Sequence, residues 1–167
     1  MTREEIADLI LASQECMYRV AKTLLRSDAD CADAISETIV KAFSKIHTLR
    51  EDAYAKTWLM RILMNECYAL LRRQKRIVSI EDRLAGDGEA LQTDYSQLYE
   101  ALMQLPQEMR ICVTLYYLEG YSVKETAAIL EVSQSAVKSR LMRARRRLRA
   151  ELEEGAVWNL SLIHISE

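Results

Sequence analysis

Apolar residues recur every three or four positions over most of the chain, which is the spacing of amphipathic helices. The pattern predicts a first helix from Glu4 to Leu25, a second from about Cys31 to Ile46, and a third from Lys56 to Arg73. Ser27 and the residues after it break the apolar pattern and offer N-cap candidates for the second helix. No alternating strand pattern occurs, so the sequence predicts an all-α fold.

The same periodicity resumes in the second half of the chain. It predicts helices over Leu98–Leu105 and Gln107–Leu118, with Pro106 as a first-turn residue and Leu118 on the buried face. Between the two halves, residues 77–96 contain glycines among acidic residues and show no sustained period, which is typical of a flexible linker. We therefore expect two small helical domains, at 1–76 and 97–154.

Composition narrows the class of protein. Half of the residues are apolar and only one is proline, which is typical of a folded helical protein and not of a disordered chain. No apolar run reaches the roughly 20 residues that a membrane span needs, and the polar start lacks the pattern of a secretory signal. We expect a cytoplasmic location and no membrane insertion. The four cysteines lie far apart without ligand spacing, which indicates structural thiols and neither a metal site nor disulfides.

The net charge of −2 conceals an uneven distribution. One cationic run lies near the end of the chain and contains no acid: Lys138, Arg140, Arg143, Arg145, Arg146, Arg147 and Arg149. A second cluster, from Arg72 to Arg76, precedes the acidic linker. Two basic patches separated by an acidic segment favour a nucleic-acid partner.

The segment after Tyr121 has the layout of a helix-turn-helix. Ser122 can cap a short helix over Val123–Leu130, Glu131 and Val132 can form the turn, and Ser133 can cap a second helix that begins at Gln134. Such a second helix enters the DNA major groove with its N-terminal end first. The outward face contains Gln134, Ser135, Lys138, Ser139, Met142 and Arg143. A cationic helix that is merely solvated is the alternative interpretation of these charges.

A polar stripe lies opposite the apolar stripe of the third helix. Arg61, Asn65, Tyr68 and Arg72 follow one another at intervals of four, three and four residues, which places them on one face. Amide, phenol and guanidinium groups suit contact with unpaired bases, by stacking and by edge hydrogen bonds. A solvated helix face would have a similar composition, so spacing alone leaves both interpretations open.

Three blocks of sequence, in this order, resemble regions 2 and 4 of extracytoplasmic-function sigma factors. They are Asp30–Thr38, Lys56–Ile62 together with Asn65, and Leu118–Arg145. The resemblance covers about Glu15 to Leu152, including the acidic linker. It implies a region 2-like bundle and a region 4-like helix-turn-helix domain, with core RNA polymerase, promoter DNA and an anti-sigma protein as partners.

The resemblance also implies a role for individual residues. The polymerase-binding positions are Asp30, Asp33, Glu37 and Lys41. The positions implied to recognise and melt the minus-ten element are Arg61, Asn65, Tyr68, Arg72 and Arg73. Those implied to read the minus-thirty-five element are Gln134, Ser135, Lys138, Ser139, Arg140, Met142 and Arg143. The linker is implied to lie in the RNA exit path of the polymerase.

Some positions depart from the family's pattern. Ser36 stands where the family usually has Gln, and Ile39 where it usually has Phe, which affects details of polymerase docking. Glu131 replaces the usual glycine of the turn, which should cost about 1 kcal/mol if this residue has a positive φ. Ala136 replaces a frequent Thr, so promoter preference can differ locally.

Two other classes of protein compete with this interpretation. A helix-turn-helix regulator that acts outside the polymerase holoenzyme would need a ligand pocket or a dimer seam, and would not explain the Arg61–Arg72 stripe. An enzyme would need a phosphate loop, a nucleophile elbow or a metal constellation, and the sequence contains none. We therefore expect no catalytic residue, no cofactor, no bound metal and no small-molecule substrate.

The last residues, 155–167, form a tail in which Leu160–Glu167 breaks the charged helical pattern without caps or period. They resemble the translation of a sequencing-library adapter, so we exclude them from fold and function. A short apolar docking segment is the alternative interpretation.

Overall fold

A computed structural model describes residues 1–78 and 96–154 of the chain. Nearly all of the predicted linker and the whole predicted tail, 155–167, lie outside the described residues. Every regular element in the described ranges is a helix, which confirms the prediction of an all-α fold. The chain divides into two compact units, one containing the helices of residues 1–78 and the other most of the helical residues after residue 96. Ala127–Glu131 group with the first unit.

The first unit is a bundle of three helices, α1 (Arg3–Leu25), α2 (Asp28–Ser44) and α3 (Ala55–Val78). Each helix packs against the other two. Two short 3₁₀ turns, Ile46–Thr48 and Asp52–Tyr54, connect α2 to α3. This arrangement leaves one face of each helix outside the core.

Capping residues fix where the first two helices begin. Thr2 Oγ1 accepts a hydrogen bond from Glu5 N at 3.1 Å, and Thr2 N donates to the Glu5 carboxylate at 2.7 Å, which forms a capping box at the start of α1. Ser27 Oγ accepts from Asp30 N at 3.4 Å. Because Ser27 is the cap, α2 begins at Asp28, earlier than the predicted start at Cys31.

The core of the first unit is rich in flexible and sulfur-containing side chains. The fully buried residues include Met17, Leu59, Met60, Leu63 and Met64. Two thiols are buried with them, and burial raises the pKa of Cys31 to about 11 and that of Cys67 to about 12. Both thiols therefore remain protonated at neutral pH and pack as small apolar groups, as the sequence predicts.

The second unit contains α4 (Ser96–Gln104), α5 (Gln107–Val113), α7 (Gln134–Glu154) and the first residues of α6 (Val123–Leu130), up to Thr126. The long helix α7 packs against α4 and α5. A buried arginine on α5 satisfies the end of α4, because the Arg110 guanidinium donates to the backbone oxygens of Met103 at 3.1 Å and Leu105 at 3.3 Å. This contact gives carbonyl groups at a helix C-terminus the partners that they lack within the helix.

A π-helical turn, Thr114–Leu118, follows α5. The sequence predicts that an α-helix continues through these residues with Leu118 on the buried face, and this prediction is wrong, since Leu118 is 56% exposed. The wider π turn changes the direction in which the following side chains point. Gly120 then takes a φ of +76°, and Tyr121 N donates to Leu115 O at 3.0 Å, which ends the helical segment.

None of the helices described, in residues 1–78 and 96–154, combines the length and the apolar character needed to cross a membrane.

Candidate nucleic-acid interface

The predicted helix-turn-helix is present with the predicted caps. Ser122 Oγ accepts from Glu125 N at 3.0 Å and Ser122 N donates to the Glu125 carboxylate at 3.2 Å, which begins α6. Ser133 Oγ accepts from Ala136 N at 3.1 Å, which begins α7 at Gln134. Glu131, in the turn between the helices, has a φ of +56°. The residue that replaces the usual turn glycine therefore adopts the left-handed conformation that favours glycine.

Helix α7 has one buried face and one exposed face. Val137, Leu141, Ala144 and Leu148 are buried. The opposite side contains most of the predicted minus-thirty-five residues: Gln134, Ser135, Lys138, Met142 and Arg143 are exposed, and Ser139 is half-buried. Three further exposed cations, Arg146, Arg147 and Arg149, extend this side toward the C-terminus. Helix α7 therefore presents one apolar side chain, that of Met142, on an exposed face that is otherwise polar and cationic.

Two cations of α7 point away from this face. The Arg140 side chain is 19% exposed and lies 3.8 Å from the Glu108 carboxylate of α5. Arg145 donates to the hydroxyl of Tyr117 at 2.8 Å, in the π-helical turn. Arg140 is therefore the one predicted minus-thirty-five residue whose charge is directed toward α5.

The predicted minus-ten stripe lies on the outer side of α3. Arg61, Asn65 and Arg72 are exposed and Tyr68 is half-buried, and they share the face opposite the buried Leu59–Cys67 side. Arg73 is exposed beside the stripe. The structure brings these five residues together on one helix, with an amide and a phenol between guanidinium groups.

The four predicted polymerase-binding residues of α2 fall into two pairs. Asp33 and Glu37 are exposed. Asp30 is half-buried and its carboxylate accepts from Gln74 Nε2 of α3 at 2.6 Å, whereas Lys41 forms an ion pair with Glu66 of α3. α2 therefore presents two of these charges outward and directs two at α3.

Gln74 and Glu66 were missed by sequence reasoning. Glu66 is buried on α3 beside Cys67, and its side chain is only 8% exposed. An acidic residue at a position next to the apolar stripe is a detectable signal, because a buried carboxylate needs a partner. Gln74 offers no such signal, since it follows the end of the predicted helix.

A third polar cluster ties the start of α2 to α1. The Asp28 carboxylate accepts from Lys22 Nζ and from the Tyr18 hydroxyl, each at 2.6 Å. Hydrogen bonds from Lys22 and Tyr18 lower the pKa of Asp28, and the same contacts raise the pKa of Lys22 and of Tyr18. The carboxylate therefore stays charged at the N-terminus of α2, where the helix dipole favours a negative group.

Comparison with known proteins matches both units to one family. The family model described as "Sigma-70 region 2" matches residues 9–77, and that described as "Sigma-70, region 4" matches residues 95–148. The "ECF RNA polymerase sigma factor SigM" of Mycobacterium tuberculosis is 34% identical over 140 residues, which cover 79% of this chain and 69% of that protein. The "RNA polymerase sigma factor SigV" of Bacillus subtilis is 29% identical over 154 residues, which cover 90% of this chain and 93% of that protein.

A solved structure is similar over almost the whole chain. It is the sigma factor RpoE of Bartonella quintana, in complex with the anti-sigma factor NepR. The match has a TM-score of 0.76 and 26% sequence identity, and covers 90% of this chain and 98% of that one.

Proposed function

Because the chain belongs to the extracytoplasmic-function RNA polymerase sigma factors, its function is promoter-specific transcription initiation, and we propose how its helices divide that task. In this proposal α2 binds core RNA polymerase, α3 recognises and opens the minus-ten element, and α7 reads the minus-thirty-five element. The observation that carries the proposal is the outer face of α3, where Asn65 lies exposed between Arg61 and Arg72.

The chemistry of the α3 face suits a single DNA strand. The Asn65 amide can donate to and accept from a base edge, and Tyr68 offers a ring for stacking. Arg61, Arg72 and Arg73 can neutralise phosphates on either side. Unpairing a few base pairs costs several kcal/mol, and a site that accepts the flipped base returns part of that cost.

The exposed face of α7 suits the major groove. Gln134, Ser135, Lys138 and Ser139 lie at the N-terminal end, from which a recognition helix reaches base edges. Met142 can contact a thymine methyl group, and Arg143 a base or a phosphate. The cations further along α7 supply affinity through phosphate neutralisation and counterion release. The Arg140 side chain is only 19% exposed and lies against the Glu108 carboxylate of α5, so we assign it no more than a supporting contact.

Asp33 and Glu37 give α2 an exposed acidic surface for polymerase. The family match supports this role, as does the exposure of both carboxylates. We also propose that an anti-sigma protein binds this chain, since the similar Bartonella quintana sigma factor is complexed with one. When α3 and α7 are held on one polymerase, binding of either helix to DNA raises the effective concentration of the other at its own promoter element. Neither helix therefore needs strong affinity for DNA alone.

We further propose that the chain acts in the cytoplasm by binding alone. Members of its family are initiation factors, and we assign it no catalytic residue, cofactor or metal. A helix-turn-helix regulator outside the holoenzyme is not favoured by the comparisons. A gel-shift assay separates the two functions, because a regulator binds duplex DNA by itself whereas this chain should require core polymerase.

Run-off transcription with core polymerase on a promoter library tests the function directly. Asn65→Ala should then reduce initiation on duplex promoters about tenfold or more, and much less on promoters that are already unpaired at the minus-ten element. Gln14→Ala, at an exposed position of α1, is the matched control and should leave both templates unaffected. Equal losses on the two templates would contradict a role of Asn65 in strand separation.

The minus-thirty-five proposal has its own test. Lys138→Glu should abolish most of the advantage that an intact minus-thirty-five element gives over a scrambled one. Lys45→Glu makes the same change of charge at an exposed position at the end of α2 and should preserve that advantage. An unchanged advantage in Lys138→Glu would remove this residue from the reader.

A further inference from the structure

Two polar links join α2 to α3. At one end of the helix pair, the Asp30 carboxylate accepts from Gln74 Nε2 at 2.6 Å. At the other, Lys41 Nζ forms an ion pair with the carboxylate of Glu66, which is almost completely buried. The links lie roughly 16 Å apart along the axis of α2, given a rise of 1.5 Å per residue. They therefore fix both the spacing and the register of the two helices.

The Asp30–Gln74 link lies beside the cationic end of α3. Gln74 stands between Arg73 and Lys75, and four of the five residues in this stretch are basic. Helix ends fray unless other contacts hold them, and mutual repulsion of neighbouring cations adds to this tendency. A hydrogen bond to a carboxylate on another helix is among the stronger polar contacts. The contact lies in the part of α3 that continues past its predicted end at Arg73, to Val78.

The direction of the Asp30 side chain distinguishes it from its neighbours. Asp33 and Glu37 are exposed, so their charges are available to another protein. The Asp30 carboxylate already has a partner within the bundle. The hydrogen bond to α3 therefore gives Asp30 a role within the bundle, apart from any charge that it offers to polymerase.

We propose that Asp30 and Gln74 are a positioning pair, which holds the cationic end of α3 on α2 so that Arg72 and Arg73 meet promoter DNA in a fixed orientation. The Lys41–Glu66 pair fixes the opposite end of the same interface. Neither pair touches DNA in this scheme; each acts through the position of α3. The inference rests on the proposed function, in which α2 binds polymerase and α3 binds the minus-ten element. Ordering the DNA-binding side chains before DNA arrives lowers the entropic cost of binding.

The two possible roles of Asp30 respond differently to a conservative change. Asp30→Asn removes the charge but keeps an oxygen that accepts from Gln74, whereas Asp30→Ala removes both. The measurements are the rate of promoter opening by the holoenzyme, followed by a fluorescent base at the minus-ten element, and the affinity of the chain for core polymerase. We expect Asp30→Ala and Gln74→Ala each to slow opening about fivefold with core affinity changed less than twofold. Asp30→Asn should restore most of the rate.

Further variants test whether Asp30 and Gln74 act through one shared contact, and whether the neighbouring Asp33 behaves differently. Asp30→Ala combined with Gln74→Ala should open promoters no more slowly than either single variant, because one contact is lost in all three. Gln74→Met, which keeps the length of the side chain but cannot donate, should match Gln74→Ala. At the exposed control position, Asp33→Asn and Asp33→Ala should weaken core binding equally.

The inference is overturned if Asp30→Asn is as defective as Asp30→Ala, if Gln74→Ala opens promoters at the wild-type rate, or if the two losses add. Each of these results would show that the Asp30–Gln74 hydrogen bond does not position α3, and a matching loss of core affinity in Asp30→Asn would assign the Asp30 charge to polymerase binding instead. The unsubstituted chain tests the proposed function separately: if it supports no promoter-specific transcription with core polymerase, the proposed function fails before any variant is compared.

Discussion

The turn of the helix-turn-helix contains one residue in a strained backbone conformation, and a glycine at this position would remove the strain. Glu131 has a φ of +56°, although it carries a Cβ. A residue with a side chain pays roughly 1–2 kcal/mol for the left-handed conformation, which glycine adopts freely. Glycine loses more backbone entropy on folding, and this offsets part of the gain. We therefore expect Glu131→Gly to raise the free energy of unfolding by about 1 kcal/mol.

Thermal unfolding of the full chain measures this gain. For a unit of about 60 residues, 1 kcal/mol corresponds to a rise in Tm of roughly 4–8 °C. Glu131→Ala is the matched control, because it also removes the carboxylate but keeps the Cβ that causes the strain. Glu131→Asn should fall between the two, since asparagine tolerates the left-handed region better than most residues.

The comparison of glycine with alanine isolates the backbone effect. If Glu131→Gly and Glu131→Ala unfold at the same temperature, the left-handed backbone conformation of residue 131 costs no stability, which would refute the expected gain. If both variants are more stable than the unsubstituted chain by the same amount, the gain comes from the lost charge and not from the backbone.

Three further predictions concern the stability of the two units. Gly120→Ala should lower the free energy of unfolding by about 1 kcal/mol, because alanine is strained at the φ of +76°. No clash adds to this cost, since no atom lies within 4 Å of an added Cβ. A loss above about 3 kcal/mol in urea unfolding would indicate a clash instead. Arg110→Met should lower the free energy of unfolding by about 2–3 kcal/mol, because backbone oxygens at the end of α4 lose their donor. The control Arg73→Met, at an exposed position, should lower it by less than about 0.5 kcal/mol. Equal losses in the two variants would contradict the capping role of Arg110. Stability should fall as the pH rises from about 9 to about 12, because the pKa of Cys67 is raised to about 12 in the folded chain and the unfolded chain loses that proton first. In urea unfolding at pH 8 and pH 11, Cys67→Ala should lose less stability between the two pH values than the unsubstituted chain, and an identical loss would contradict this linkage.

Local patterns in the sequence were sufficient for most of the helices. The starts of α6 and α7 were predicted at the correct residues, because Ser122 and Ser133 cap them through hydrogen bonds within the same turn. The buried and exposed faces of α3 also followed from spacing, since a regular helix fixes which side chains share a face.

The errors occurred where regular geometry ends. Leu118 was predicted to be buried, but it is exposed. The π-helical turn that follows α5 has a wider period than an α-helix, so its side chains point in other directions, and no residue pattern in the sequence predicts this turn. The end of α3 was predicted at Arg73, whereas a contact with α2 accompanies its extension to Val78. Such a contact joins residues far apart in the chain, so local propensity does not contain it.

The sequence by itself determined the helical class, the caps, the amphipathic faces and, through resemblance, the family, because each of these depends on residues that are close in sequence or on matched motifs. Only the tertiary structure decided which charged side chains are turned inward. Asp30, Lys41 and Arg140 look like their exposed neighbours in a list of charged residues, yet each lies against a polar group of another helix. Whether a charged side chain is directed at solvent or at another helix depends on which helices pack together, and residues far apart in the chain decide that.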